Sequence, residues 1–181
     1  MLKTINGAAI ELVRADITLE KADAIVNAAN SGLAGGGGVD GAIHAAGGPE
    51  IMRQCREIIA RIGRLPAGQA VITGGGLLPA KYVIHTVGPI WRGGKSGEAL
   101  TLAAAYRNSL ALAVENGAQS VVFPSISTGV YGYPVEKAAP VALGAAARFL
   151  AENGIPPLVK FALFDEAALK AYSAALAELA P

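Results

Sequence analysis

Short apolar runs and longer amphipathic stretches take turns along this chain. "AIELV" (Ala9–Val13), "DAIVN" (Asp23–Asn27), "AVIT" (Ala70–Thr73), "YVIHTV" (Tyr82–Val87), "SVVFPSI" (Ser120–Ile126) and "LVKFALF" (Leu158–Phe164) read as strands. The segments between them carry helical spacing. Pro49–Ile62 puts Ile51, Cys55, Ile58 and Ile62 on one stripe. Glu98–Asn116 is rich in Leu and Ala and runs into Gly117, a residue suited to the position after a helix end. Glu166–Leu179 predicts a last helix. Pro134–Glu152 is awkward, because Pro134 suits a first turn while Pro140 would sit inside the helix. Either the helix bends there or its regular part starts near Pro140. Strands alternating with helices predict an α/β sandwich with a largely covered sheet. No linker, long repeat or low-complexity tail interrupts the pattern, so residues 1–181 are expected to form a single domain.

Composition narrows the classes. Hydrophobic residues make up 52% of the 181 and charged residues only 16%, which argues against disorder. The formal net charge of +1 argues against a broad nucleic-acid surface, which needs clustered Lys and Arg. A small anion held by backbone amides needs no such excess. Cys55 is the only cysteine, so neither an intrachain disulfide nor a thiolate metal cluster is expected. The start, "MLKTINGAAIELVRADIT", lacks an apolar core followed by a cleavage site, so no signal peptide is expected. The longest uncharged run, between Glu115 and Glu136, contains Asn, Pro and several Gly and makes a poor membrane span. A cytoplasmic protein without membrane association is the expectation.

The chemistry gathers in "NAANSGLAGGGGVDGAIHAAGG" (Asn27–Gly48). A strand enters four glycines and a helical pattern leaves them. Glycine admits positive φ and close backbone approach, and a helix N-terminus offers free amides to phosphate. A GxGxxG match falls at Gly36, Gly38 and Gly41. A dinucleotide fold would need the strand to end at the first glycine and a second strand to end in an acid; here Asn30–Leu33 intervenes and Glu57 lies in a helical pattern. A nicotinamide-dependent dehydrogenase is therefore a minor alternative. Asn27 and Asn30, three apart in an extended segment, would point to opposite faces, one toward a ligand and the other holding backbone. Asp40 reads equally as an N-cap or first-turn acid favoured by the helix dipole and as a general base beside a phosphorylated ligand. His44, one turn on, reads more simply as a packed or surface histidine.

"FPSISTGVYGYP" (Phe123–Pro134) repeats the logic with Ser127 and Thr128 as hydroxyls and Gly129 and Gly132 leaving amides accessible. Two such loops at strand ends can clamp a ligand bearing two phosphates. Tyr131 and Tyr133 lie two apart and would share a face in an extended segment. With two histidines, no HExxH and no paired Asp motif, no metal site is expected, and His85 inside "YVIHTV" reads as a core histidine. Arg92 and Lys95 follow Trp91 in a glycine-rich stretch that reads as a solvated loop.

Together "ADIT", "AIVNAANSGLAGGGGVDGAIHAAGG", "HTVGPIW" and "FPSISTGVYGYP" resemble the macrodomains, most of all the bacterial O-acetyl-ADP-ribose deacetylase and MacroD-type branch. The resemblance runs from Asp16 to the final helix. It implies a three-layer α/β/α fold with a mixed central sheet and ADP-ribose as ligand. On this resemblance Asp16 holds the adenine amino group, with the Ile17 backbone beside it. Gly38, Val39 and Asp40 face the diphosphate and distal ribose. Ser127, Thr128, Gly129, Val130 and Tyr131 form the second loop, Tyr131 near that ribose. Asn30 orients the distal ribose, Asp40 is the catalytic acid of the branch, and Phe164 is a candidate adenine wall. Ala15 replaces a usual glycine, which matters only if that position needs positive φ. The implied activity is metal-independent hydrolysis, without a cofactor, of O-acetyl-ADP-ribose and of mono-ADP-ribose esters on acidic protein side chains. A non-catalytic ADP-ribose reader is the alternative.

Overall fold

Period-two alternation along the apolar runs divides their side chains between two cores, and helices cover both. The computed structural model describes residues 1–179. Among these the strands are β1 (Leu2–Ile5), β2 (Ala8–Arg14), β3 (Ala22–Ala28), β4 (Ala70–Gly74), β5 (Ala80–Thr86), β6 (Ser120–Phe123) and β7 (Leu158–Leu163). The helices are α1 (Gly38–Gly47), α2 (Pro49–Ile62), α3 (Glu98–Glu115), α4 (Val135–Asn153) and α5 (Glu166–Glu178), with a single 3-10 turn at Ile17–Leu19.

The sheet order is β1-β2-β7-β6-β3-β5-β4. The five central strands run parallel, and β1 and β4 close the edges antiparallel. Ile25, Val83, Val122 and Ala162 face α1 and α2 and pack with Ile43, Ile51, Cys55 and Ile58. Their neighbours Val26, Ile84, Phe123 and Phe161 face α3, α4 and α5, where Tyr106, Leu143, Leu150 and Tyr172 are buried. The result is a three-layer α/β/α sandwich around a mixed sheet.

The differences from the sequence reading have local causes. β1 was not expected; it is a short edge strand with no buried position, joined to β2 through Asn6 and Gly7, both at positive φ. The run Ser120–Ile126 stays a strand only to Phe123, because Pro124 follows and Ser127 turns the chain at φ 67°. Helix α4 continues through Pro140. Pro140 lies on its exposed side, as does Glu136, whose carbonyl loses the usual donor and faces water instead. Ala15 is not at positive φ, so a β-carbon is tolerated there.

Candidate active site

The carboxyl ends of β2, β3, β6 and β7 open onto one cavity of about 590 Å³. Every residue that the sequence assigned to a ligand lines it: Asp16 and Ile17 after β2, Asn30, Gly38, Val39 and Asp40 after β3, residues 127 to 131 after β6, and Phe164 after β7. Clefts at the carboxyl ends of parallel strands collect ligand groups because loops and helix N-termini converge there.

The glycine run builds the first wall. Gly37 caps α1, so Gly38, Val39 and Asp40 form its first turn and their amides have no carbonyl within the helix to serve. Asp40 is therefore a first-turn acid and not the cap residue. Gly41 is sterically required: a β-carbon there would lie 2.4 Å from the Gly36 carbonyl oxygen. Gly36 in turn sits between the two polar side chains of the site. A β-carbon on it would be 3.4 Å from Asp40 Oδ2 and 4.0 Å from Asn30 Nδ2.

Asn30 takes both of the roles expected of the pair, and Asn27 takes neither. Asn30, which lines the cavity, holds backbone: its Nδ2 donates to the Gly35 carbonyl at 2.8 Å and its Oδ1 accepts from the Ala34 amide at 3.0 Å. Asn27 holds no backbone. It is fully buried, and its Nδ2 donates to Asp40 Oδ1 at 2.8 Å. The chain leaves β3 at Ala28, so the extended spacing assumed between them ends before Asn30.

Asp40 is only 7% exposed. Its Oδ1 accepts from Asn27 and lies 3.3 Å from His44 Nε2. Oδ2 takes no hydrogen bond among the described residues and lies on the Gly36 side. One carboxylate oxygen is thus anchored and the other is left for chemistry.

The second wall is the loop after β6. Among the described residues the amides of residues 127 to 131 donate to no protein acceptor, and the buried Ser127 hydroxyl is unpartnered. The loop is tied down from behind: Tyr106 of α3 accepts from the Ile126 amide at 3.0 Å and donates to the Pro124 carbonyl at 3.2 Å. Tyr172 of α5 donates to Ser125 Oγ at 3.0 Å. Gly88 lets this loop close in, since a β-carbon there would lie 2.1 Å from Ser127 Oγ. Tyr131 and Tyr133 do not share a face, because Gly132 turns the chain at φ 72°. Tyr131 lines the cavity, whereas Tyr133 is buried against Trp91 with ring centroids 4.5 Å apart.

Asp16 caps the 3-10 turn, its Oδ1 accepting from the Thr18 amide at 2.9 Å and the Thr18 hydroxyl at 2.7 Å. Phe164 is 77% exposed beside it, a flat apolar surface in water at the cavity mouth. An acid, an exposed aromatic face, two amide-rich loops and a half-anchored carboxylate line one cavity, a set that suits a base, a diphosphate and a sugar.

A Macro domain family model matches residues 26–142. The chain is a macrodomain. Over 169 residues this macrodomain is 52% identical to an O-acetyl-ADP-ribose deacetylase of Citrobacter rodentium, spanning 93% of this chain and 96% of that protein. The Oceanobacillus iheyensis macrodomain solved with ADP superposes with a TM-score of 0.94 at 47% identity, over 98% of this chain and 94% of that one. A Trypanosoma brucei macrodomain in complex with ADP-ribose gives a TM-score of 0.83 at 43% identity, over 92% of this chain and 68% of that one.

Glu57, the acid weighed for a dinucleotide fold, lies on the outer face of α2 in an ion pair with Arg53 and away from the macrodomain's cavity. The fold also makes a grouping that the sequence reading missed. His44, Cys55 and His85 place ligand-type atoms within 4.8 Å of one another. This is a hydrogen-bonded cluster more than a coordination set. Both ring nitrogens of His85 are engaged, by Asn27 at 3.1 Å and Thr73 at 2.9 Å. Burial, and secondarily the charge of Asp40, pushes the Cys55 thiol up to about 11. Burial, reinforced by His44, holds His85 at about 3, so its ring is neutral at physiological pH.

Trp91 donates its amide to the Tyr131 carbonyl at 2.8 Å, which joins the next loop to the cavity rim. Residues 92 to 97 are exposed, as the sequence suggested, but their backbone is tied down. Glu98 accepts from the amides of Arg92, Gly94 and Ser96 at 3.1, 2.7 and 2.6 Å. Burial pushes the Glu98 carboxyl up, but these amides outweigh it and hold the group below the usual carboxylate range. Among the described residues no helix is long and apolar enough to cross a membrane.

Proposed function

We propose that this macrodomain binds ADP-ribose and hydrolyses esters at its distal ribose, deacetylating O-acetyl-ADP-ribose and releasing mono-ADP-ribose from acidic protein side chains. The observation that carries the reading is Asp40. Its Oδ1 is held by Asn27 while Oδ2 lies on the Gly36 side, next to Asn30, in the cavity that both glycine loops line. The names and bound ligands of the relatives support the substrate class.

In this reading the amides of Gly38 and Val39 and those of the second loop take the diphosphate, Asn30 orients the distal ribose and Tyr131 walls it. Phe164 and Asp16 receive the adenine. Asp40 Oδ2 takes a proton from water, directly or through a ribose hydroxyl. The oxygen so activated adds to the acyl carbon, and the bond from that carbon to the ribose oxygen breaks. The proton on Asp40 returns to the leaving ribose oxygen, giving the free acid and ADP-ribose. The residues assigned to these steps require no metal and no cofactor. The reading takes residues 1–181 as one macrodomain and places it in the cytoplasm, as its single buried, unpaired cysteine favours.

A deacetylation assay on O-acetyl-ADP-ribose tests it. Asp40→Ala should lower kcat by ~10²–10⁴, the usual scale of general base catalysis. Asn30→Ala should lower kcat too, while both variants still bind ADP-ribose. Full turnover by Asp40→Ala would sink the mechanism. Binding without product formation by the wild type would leave a reader module.

A further inference from the structure

Beneath α1 and α2 the sheet buries one file of polar side chains among apolar neighbours. Asn27 of β3, His85 of β5 and Thr73 of β4 are 0, 0 and 4% exposed. Register makes the file: Asn27 pairs with His85 across β3 and β5, and Thr73 lies on β4 one pair further, opposite Val83. All three point to the helix layer that carries Asp40. None of them lines the cavity.

The direction of every hydrogen bond in the file is fixed from one end. An ionised carboxylate only accepts, so the nitrogen of the Asn27 amide faces Asp40 Oδ1, at 2.8 Å. The second hydrogen of that nitrogen meets His85 Nδ1 at 3.1 Å, which must be the unprotonated ring nitrogen. The ring proton is therefore on Nε2 and donates to Thr73 Oγ1 at 2.9 Å. Thr73 passes its own hydrogen to the Gly74 carbonyl at 3.0 Å. Turning the Asn27 amide over would set its oxygen against the carboxylate. Burying such groups is costly, the more so because Asn27 Oδ1 is buried without a partner among the described residues, and an apolar file would serve packing better.

We propose that His85 and Thr73 are positioning residues for Asp40, acting through Asn27: by accepting from Nε2–H, Thr73 supports the tautomer that leaves Nδ1 free to hold the Asn27 amide turned toward Oδ1, so that Oδ2 stays aimed at the cavity. The file is neutral, so it orients the carboxylate without neutralising it as an arginine or lysine would. The inference rests on the reading of Asp40 as the base.

Thr73→Val keeps the shape and removes the acceptor for Nε2–H; Thr73→Ser keeps the hydroxyl. With O-acetyl-ADP-ribose, Thr73→Val should lose roughly 10- to 100-fold in kcat, the usual cost of misplacing a reacting group through its support. Its KM, and its Kd for ADP-ribose by calorimetry, should stay at wild-type values, and Thr73→Ser should restore kcat. Nitrogen-15 NMR of labelled histidine is readable because the chain has two histidines. It should show wild-type His85 as Nε2–H and Thr73→Val shifted toward Nδ1–H. An Nδ1–H tautomer in the wild type overturns the inference without any variant. So does a Thr73→Val enzyme with full kcat, or one whose kcat and Kd losses match and are not rescued by serine. Asp40→Ala is assayed alongside. If it stays active the base itself is wrong; if it is inactive while Thr73→Val is fully active, only the file fails.

Discussion

Gly41→Ala puts one methyl group against the peptide that separates the two polar side chains of the site. The new β-carbon would lie 2.4 Å from the Gly36 carbonyl oxygen, about 1 Å short of the 3.4 Å at which ordinary contacts begin. Both partners are backbone, so no rotamer relieves the clash. Either the glycine loop backs away or the first turn of α1 does. The Gly35 carbonyl holds Asn30 and the first turn carries Asp40, so both responses pull Asn30 from Asp40 by about the missing distance. A misplacement of ~1 Å can cost ~10²-fold in rate. Loss of one charge-assisted amide contact to a phosphate, worth about 1.5–3 kcal/mol, would weaken ADP-ribose binding roughly 10- to 100-fold. Deacetylation kinetics and calorimetry with ADP-ribose read the two effects. Gly144→Ala is the control: a β-carbon there meets nothing within 4 Å, and the same exchange inside α4 should stabilise by about 0.5–1 kcal/mol. Wild-type affinity and turnover in Gly41→Ala would refute the account of how the loop is held.

Two further outcomes follow from buried polar groups. Tyr106→Phe leaves the Ile126 amide and Pro124 carbonyl without their partner in a buried setting and should cost about 1–3 kcal/mol in a urea melt; a loss below a few tenths of a kcal/mol would mean that water replaces the phenol. His85 has its pKa lowered from 6.5 to about 3, chiefly by burial, so between those values the unfolded chain binds a proton that the native protein refuses. Its contribution to stability is whole above pH 6.5 and falls as pH drops toward 3, by about 1.4 kcal/mol per pH unit. Unfolding free energies of wild type and His85→Gln should therefore converge on acidification, and parallel curves would exclude the effect.

Which parts were legible depended on whether the cause was local. The helix Pro49–Ile62 appears at its expected bounds because a proline start, an apolar stripe and a following glycine are all written in sequence. The glycine loops were legible as cavity walls for the same reason. β1 was missed although Asn6-Gly7 is a hairpin signal, since its strand buries nothing and shows no apolar run. The tyrosine pair was misread because a turn at Gly132 is invisible to a count of two. Asn27 and His85 could not be joined from sequence: 58 positions separate them, and only strand register makes them neighbours. Residue types announced the cavity walls, and non-local pairing decided how the carboxylate is held.

Strand β7 lies inside the sheet, third in its order, but is the seventh strand in the order of synthesis. It bridges β2 and β6, pairing with both, and the chain beyond it supplies Phe164 and Asp165 to the cavity. A ribosome delivering the chain from its amino end therefore first produces two sheet fragments with a slot between them. Each fragment shows a bare, parallel-pairing edge, the kind of surface that recruits other strands. Nascent chains should need shielding until β7 emerges, and a ligand of the cavity cannot help them, because Phe164 arrives later still.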